Sequence, residues 1–141
     1  MKTHVEFRSD KFPPCDGEEE EINPGRWGRR LAEFLAEGLK REGLEVGQPI
    51  PEDWGVVVPI TNDRFELFVG CGNVEETPDG FLCFIEPHTP VVRRWFRKID
   101  TVDRMTAVQA ALQRVLGSER SIRDVRWYTH EEFNNQGAAR A

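Results

Sequence analysis

Cys71, Cys83 and His88 are the side chains best suited to holding a metal ion, at spacings of 12 and 5 residues. Zinc sites draw their ligands in local pairs such as C-x₂₋₄-C or H-x₃₋₅-H. This set has no such pair, and both cysteines fall at apolar strand positions, so they are expected in the core and no metal is expected. Nucleophilic catalysis needs a Ser or Cys beside a base that a third group orients. The histidines are His4, His88 and His130, and there is no G-x-S-x-G elbow. Cys15 follows Pro13–Pro14 and precedes an acidic run, and carboxylates beside a thiol disfavour its thiolate. Glycosidase chemistry needs two carboxyls at a fixed separation in a cleft. The run Glu18–Glu21 reads instead as a solvated loop. Phosphate cradles of the G-x-x-x-x-G-K-[ST] or G-x-G-x-x-G type are absent. No catalytic residue and no cofactor are expected.

Charge is more informative. The 141 residues carry a formal net charge of −6, which disfavours a dedicated nucleic-acid or anionic-membrane binder. That value averages two unlike regions. Residues 1–90 hold 9 basic and 19 acidic side chains, whereas 91–128 hold 9 basic and 4 acidic. The acidic part peaks at Asp16, Glu18, Glu19, Glu20 and Glu21, then at Glu75, Glu76 and Asp79, with Glu52 and Asp53 on a further loop. Acidic loops attract a basic partner and raise its on-rate. The basic part peaks at residues 93–98. Arg93, Arg94, Arg97 and Lys98 there offer an alternative, single-stranded nucleic acid.

These loops must be positioned by ordinary elements. Alternation in residues 4–8 marks a strand. Asn23 as cap, Pro24 at the first helical position and the apolar set Trp27, Leu31, Phe34, Leu35 and Leu39 predict a helix over 24–42. Residues 45–53 read as a connector. Strands follow at 54–60, 64–70 and 81–86, spaced too closely for parallel crossovers. Phe65, Leu67, Val69, Cys71 and Cys83 face inward. Phe68, Leu82 and Phe84 point to the opposite face, which is expected to be covered by segment 89–99 or to bind a ligand. Thr89–Pro90 starts one helix, Asp100 or Thr101 another, and residues 122–128 close the sheet. The fold class is α+β: an antiparallel sheet in the order β-α-β-β-β-α-α-β, with helices packed mainly on one face. Residues 1–129 form a single domain and 130–141 a flexible C-terminal tail.

The order of elements, P-E-D-W-G at 51–55 and the closing R-W-Y at 126–128 resemble small α+β immunity proteins of bacterial polymorphic-toxin and contact-dependent inhibition systems. The resemblance implies a non-catalytic protein that binds one partner tightly, and the acidic loops make that partner a basic protein such as a toxin domain. It carries over no individual binding residue, and Trp54 is expected in the core. The odd number of cysteines and the absence of a signal-like N-terminus suggest a cytoplasmic location. The expected state is monomer or homodimer, without a membrane partner. The alternatives are a small ligand-binding module or enzyme with its pocket between the sheet and segment 89–99, or the nucleic-acid binder above.

Overall fold

A computed structural model describes residues 1–61, 67–87 and 95–140, with side chains over 1–61, 67–86 and 102–136. The strands are β1 (Lys2–Arg8), β2 (Glu45–Val46), β3 (Ile50–Glu52), β4 (Gly55–Thr61), β5 (Leu67–Asn73), β6 (Gly80–Pro87) and β7 (Arg123–Thr129). The helices are α1 (Glu18–Glu21), α2 (Arg29–Arg41), α3 (Trp95–Gly117) and α4 (His130–Arg140). The sheet runs β2-β4-β5-β6-β1-β7, with β3 also paired to β4 and every pairing antiparallel. The α+β expectation therefore holds, although the order of elements is richer than expected.

Strand alternation builds the core directly. Val5 and Phe7, Val56, Val58 and Ile60, Leu67, Val69 and Cys71, and Phe81, Cys83 and Ile85 all face one side and are buried. Against them lie Leu31, Leu35 and Leu39 of α2 and Val108, Leu112, Val115 and Leu116 of α3. The helices approach closely at Gly38, where an added Cβ would stand 2.6 Å from the nearest methyl of Val115. Phe65 and His88 lie outside the described residues.

Three expectations are corrected. The helix predicted over 24–42 begins at Arg29. Asn23–Pro24–Gly25–Arg26 instead makes a tight turn, closed by Arg26 N–H donating to the Asn23 carbonyl at 3.0 Å. Pro pre-sets the second turn position, and Gly25 takes φ 76°, the left-handed value a side chain would resist. The two helices expected around residue 100 are one, because no Gly or Pro lies between Trp95 and Leu116 to interrupt it. The expected tail contains a helix, α4, opened by a reciprocal cap. Glu132 N–H donates to Thr129 Oγ1, and Thr129 N–H donates to Glu132 Oε1, both at 3.0 Å. The same contacts hold the Glu132 carboxyl below its ordinary range.

No helix among the described residues is long and apolar enough to cross a membrane.

Candidate interaction site

The antiparallel register brings the 9–28 loop, the β3–β4 turn, the β5–β6 turn and the ends of β1 and β7 to one end of the sheet. Hydrogen bonds tie these loops together. Asn73 is the hub: its N–H donates to the Trp27 carbonyl, its Oδ1 accepts from Trp27 N–H and its Nδ2 donates to the Gly25 carbonyl, all at 2.9 Å. Asn23 Nδ2 donates to the Asp53 carbonyl at 2.7 Å. Arg26 pairs with Glu75 at 2.7 Å. Three glycines, Gly28, Gly55 and Gly72, meet here without side chains. A Cβ on Gly55 would stand 2.4 Å from the Cys71 carbonyl oxygen, and one on Gly28 2.9 Å from the same atom.

Most of the acidic residues singled out from the sequence come together at this end. Asp16, Glu20, Glu21 and Glu76 are exposed, as are Glu52 and Asp53. Glu19 is half-buried and accepts from Gly25 N–H at 3.0 Å. Glu75 is exposed and paired with Arg26, and Glu21 stands 3.9 Å from Arg29.

Glu18 and Asp79 are placed differently. Glu18 is 2% exposed. Its Oε1 accepts from Cys15 N–H at 2.9 Å, and its Oε2 accepts from Gly28 N–H at 2.8 Å and Arg29 N–H at 2.7 Å. It caps α2 from ten residues upstream, where a helix offers unpaired N–H groups and partial positive charge. The expectation that Glu18 faces a partner is therefore corrected, because both of its oxygens are turned inward. The Asp79 carboxylate is bound by Arg8 at 2.8 and 3.0 Å and by Arg123. These two guanidiniums, Arg8 first, hold its carboxyl below the ordinary range. Asp79 thus clasps β1 and β7 to the β5–β6 turn rather than offering a free charge. Arg93 and Arg94 lie outside the described residues, as do the side chains of Arg97 and Lys98.

Cys71 and Cys83 face each other across β5 and β6 in the core. Burial pushes both thiols up, helped at Cys71 by the Glu18 charge. Both are fully buried, whereas Cys15 is half-buried. A disulfide-exchange reagent should therefore titrate one thiol in the native protein and all three after denaturation. Rapid loss of more than one native thiol would contradict this placement.

No family model, curated protein or solved structure matches the chain. The site is accordingly read from its own geometry.

The opposite face of the sheet carries aromatic rings. Phe84 lies over Gly70, where a Cβ would come within 2.4 Å of the ring, and packs against Trp54 at 5.1 Å and Phe68 at 6.1 Å. Trp54, expected in the core, stands here, half-buried. It divides two concavities. One of about 420 Å³ includes Ile50, Glu52, Val57, Pro59 and Phe68 in its lining, and one of about 290 Å³ includes Arg26, Gly72, Leu82 and Phe84. The second shares Arg26, Asn73 and Leu82 with a third, of about 190 Å³, that reaches Glu75, Phe133 and Gln136. Phe68, Leu82 and Phe84 thus lie opposite the core, as their alternation implied. Among the described residues, part of this face is covered by α4. Segment 89–99, the expected cover and pocket wall, lies outside the described residues over 89–94 and in its side chains over 95–99.

His4 anchors α4. Its buried ring stacks on Phe133 at 4.7 Å and Phe84 at 5.6 Å, with His130 at 5.4 Å, Tyr128 opposite on β7 and Thr3 Oγ1 2.9 Å from Nδ1. Burial first, then the neighbouring His130, holds its pKa below the ordinary 6.5. The docked state therefore binds fewer protons than the undocked one. Its stabilisation is complete above pH 6.5 and declines as pH falls below that value. Protection factors in α4, taken relative to intrinsic exchange at each pH, should fall between pH 7.5 and pH 5, and His4→Phe should abolish that fall. An unchanged fall in that variant would assign the effect elsewhere.

Proposed function

We propose that this chain is a non-catalytic protein-binding domain that neutralises a basic partner, a toxin domain, by covering it with its acidic loop end in the bacterial cytoplasm. One observation carries the reading: carboxylates from the 16–21, 52–53 and 75–76 segments stand exposed on one framed end of the sheet. Long-range attraction from such a face speeds encounter with a cationic surface, and it weakens as salt screens it. A toxin that acts on nucleic acid presents such a surface. The resemblance to immunity proteins supplies the biological setting for the same chemistry.

The test is titration of the purified chain into the protein encoded beside its gene. Binding should be tight at 50 mM salt and weaken at least about tenfold by 300 mM. The triple variant Glu20→Lys, Glu21→Lys, Glu76→Lys should slow association about tenfold or more while leaving the fold intact, because all three side chains are exposed. Binding that ignores both salt and charge reversal would refute the acidic-face mechanism. Absence of binding, with no protection of cells expressing the neighbouring protein, would refute the neutralising role.

A further inference from the structure

The acidic end accounts for steering better than for affinity. Charges at an interface rim set the on-rate, whereas tight binding depends on a few apolar or aromatic anchors seated in desolvated pockets. The face around Trp54 has the shape for an anchor. Its concavities have an aromatic ridge, a side-chain-free floor at Gly72 and three carboxylates, Glu6, Glu52 and Glu75, among their lining residues.

We propose that the Trp54–Phe84–Leu82 cleft receives an aromatic or branched apolar side chain of a basic partner protein, flanked by Lys or Arg residues that meet Glu52 and Glu76, Glu75 being held by Arg26. This inference rests on the acidic-face reading above and adds the anchor to it. Charge complementarity selects the occupant, because the carboxylates beside the cleft favour an apolar group carried between cations over one carried between anions. Exposed Ile50, at 48%, extends the apolar surface beyond the β3 side of the ridge.

Two labelled peptides of equal length and charge provide the probe. One alternates lysine with leucine around a central tryptophan, and the other alternates lysine with alanine. Each is titrated into the full chain at 50 mM salt, with affinity read by anisotropy and location by NMR. The first should bind about tenfold or more tightly than the second and shift the Trp54 indole N–H and the Gly72 and Leu82 amides. Trp54→Ala and Leu82→Ser should each reduce the first peptide to the level of the second. Leu82→Ser decides the matter if Trp54→Ala does not fold. Equal binding of both peptides without a shift at Trp54 overturns the cleft and leaves the acidic face standing. Failure of both peptides to bind overturns the cleft and the acidic face together. A dimer of the free chain that Leu82→Ser dissociates assigns the face to a second copy and overturns the proposal.

Discussion

Replacing Glu18 by alanine is expected to lower the unfolding free energy by about 3 kcal/mol or more. The carboxylate accepts from three backbone N–H groups, two of them at the start of α2, and it is 2% exposed. Alanine leaves those donors in a space that water does not readily fill, and each buried orphan costs about 1–3 kcal/mol. Glu18→Gln should fall between alanine and wild type, because its NH₂ group would oppose at least one donor. Glu20→Gln, on the exposed side of the same turn, should stay within about 0.5 kcal/mol. Urea midpoints measure all three. Amide exchange at Gly28 and Arg29 localises the effect, and equal midpoints for the Glu18 and Glu20 variants would refute the capping role.

Gly55→Ala is expected to cost about 3 kcal/mol, more than its single methyl group would suggest. The new Cβ would sit 2.4 Å from the Cys71 carbonyl oxygen and 3.2 Å from Gly72 Cα. Backbone atoms cannot rotate away as a side chain does, so β4 and β5 would have to separate where the acidic loops are framed. Gly117→Ala is the control. Nothing lies within 4 Å of its Cβ position at the end of α3, and its change should stay within about 1 kcal/mol. Similar urea midpoints for the two variants would show that the junction yields more easily than its geometry implies.

The sheet was legible because its alternation is strict: Val56, Val58 and Ile60, then Leu67, Val69 and Cys71, face inward without exception. The start of α2 was not, because Asn23–Pro24 fits a helix cap and a turn equally well and only Gly25 decides between them. The run Glu18–Glu21 carries no local sign of which glutamate turns inward. That choice is made by the N–H groups of Gly28 and Arg29, which arrive ten residues later. Trp54 shares the parity of Val56 and Val58, but it sits in the turn between β3 and β4, where alternation does not hold. The start of α4 did leave a signal, the T-x-x-E of Thr129–Glu132. The helix it opens offers little apolar periodicity beyond Phe133, so the motif stood alone. The acidic set could be named from composition, whereas its assembly required the Asn73 hub, whose role depends on loops distant in sequence.

The junction of Gly28, Gly55 and Gly72 has a consequence for how the protein can change. The acidic end is framed by main-chain atoms, the inward carboxylate of Glu18, the Asp79 clasp and the asparagines Asn23 and Asn73, so the exposed carboxylates of Asp16, Glu20, Glu52 and Glu76 are not part of its frame. Asp16, Glu20, Glu52 and Glu76 can be exchanged as letters on a fixed plate, so under the proposed function recognition would drift from one partner to another while the fold beneath stays the same.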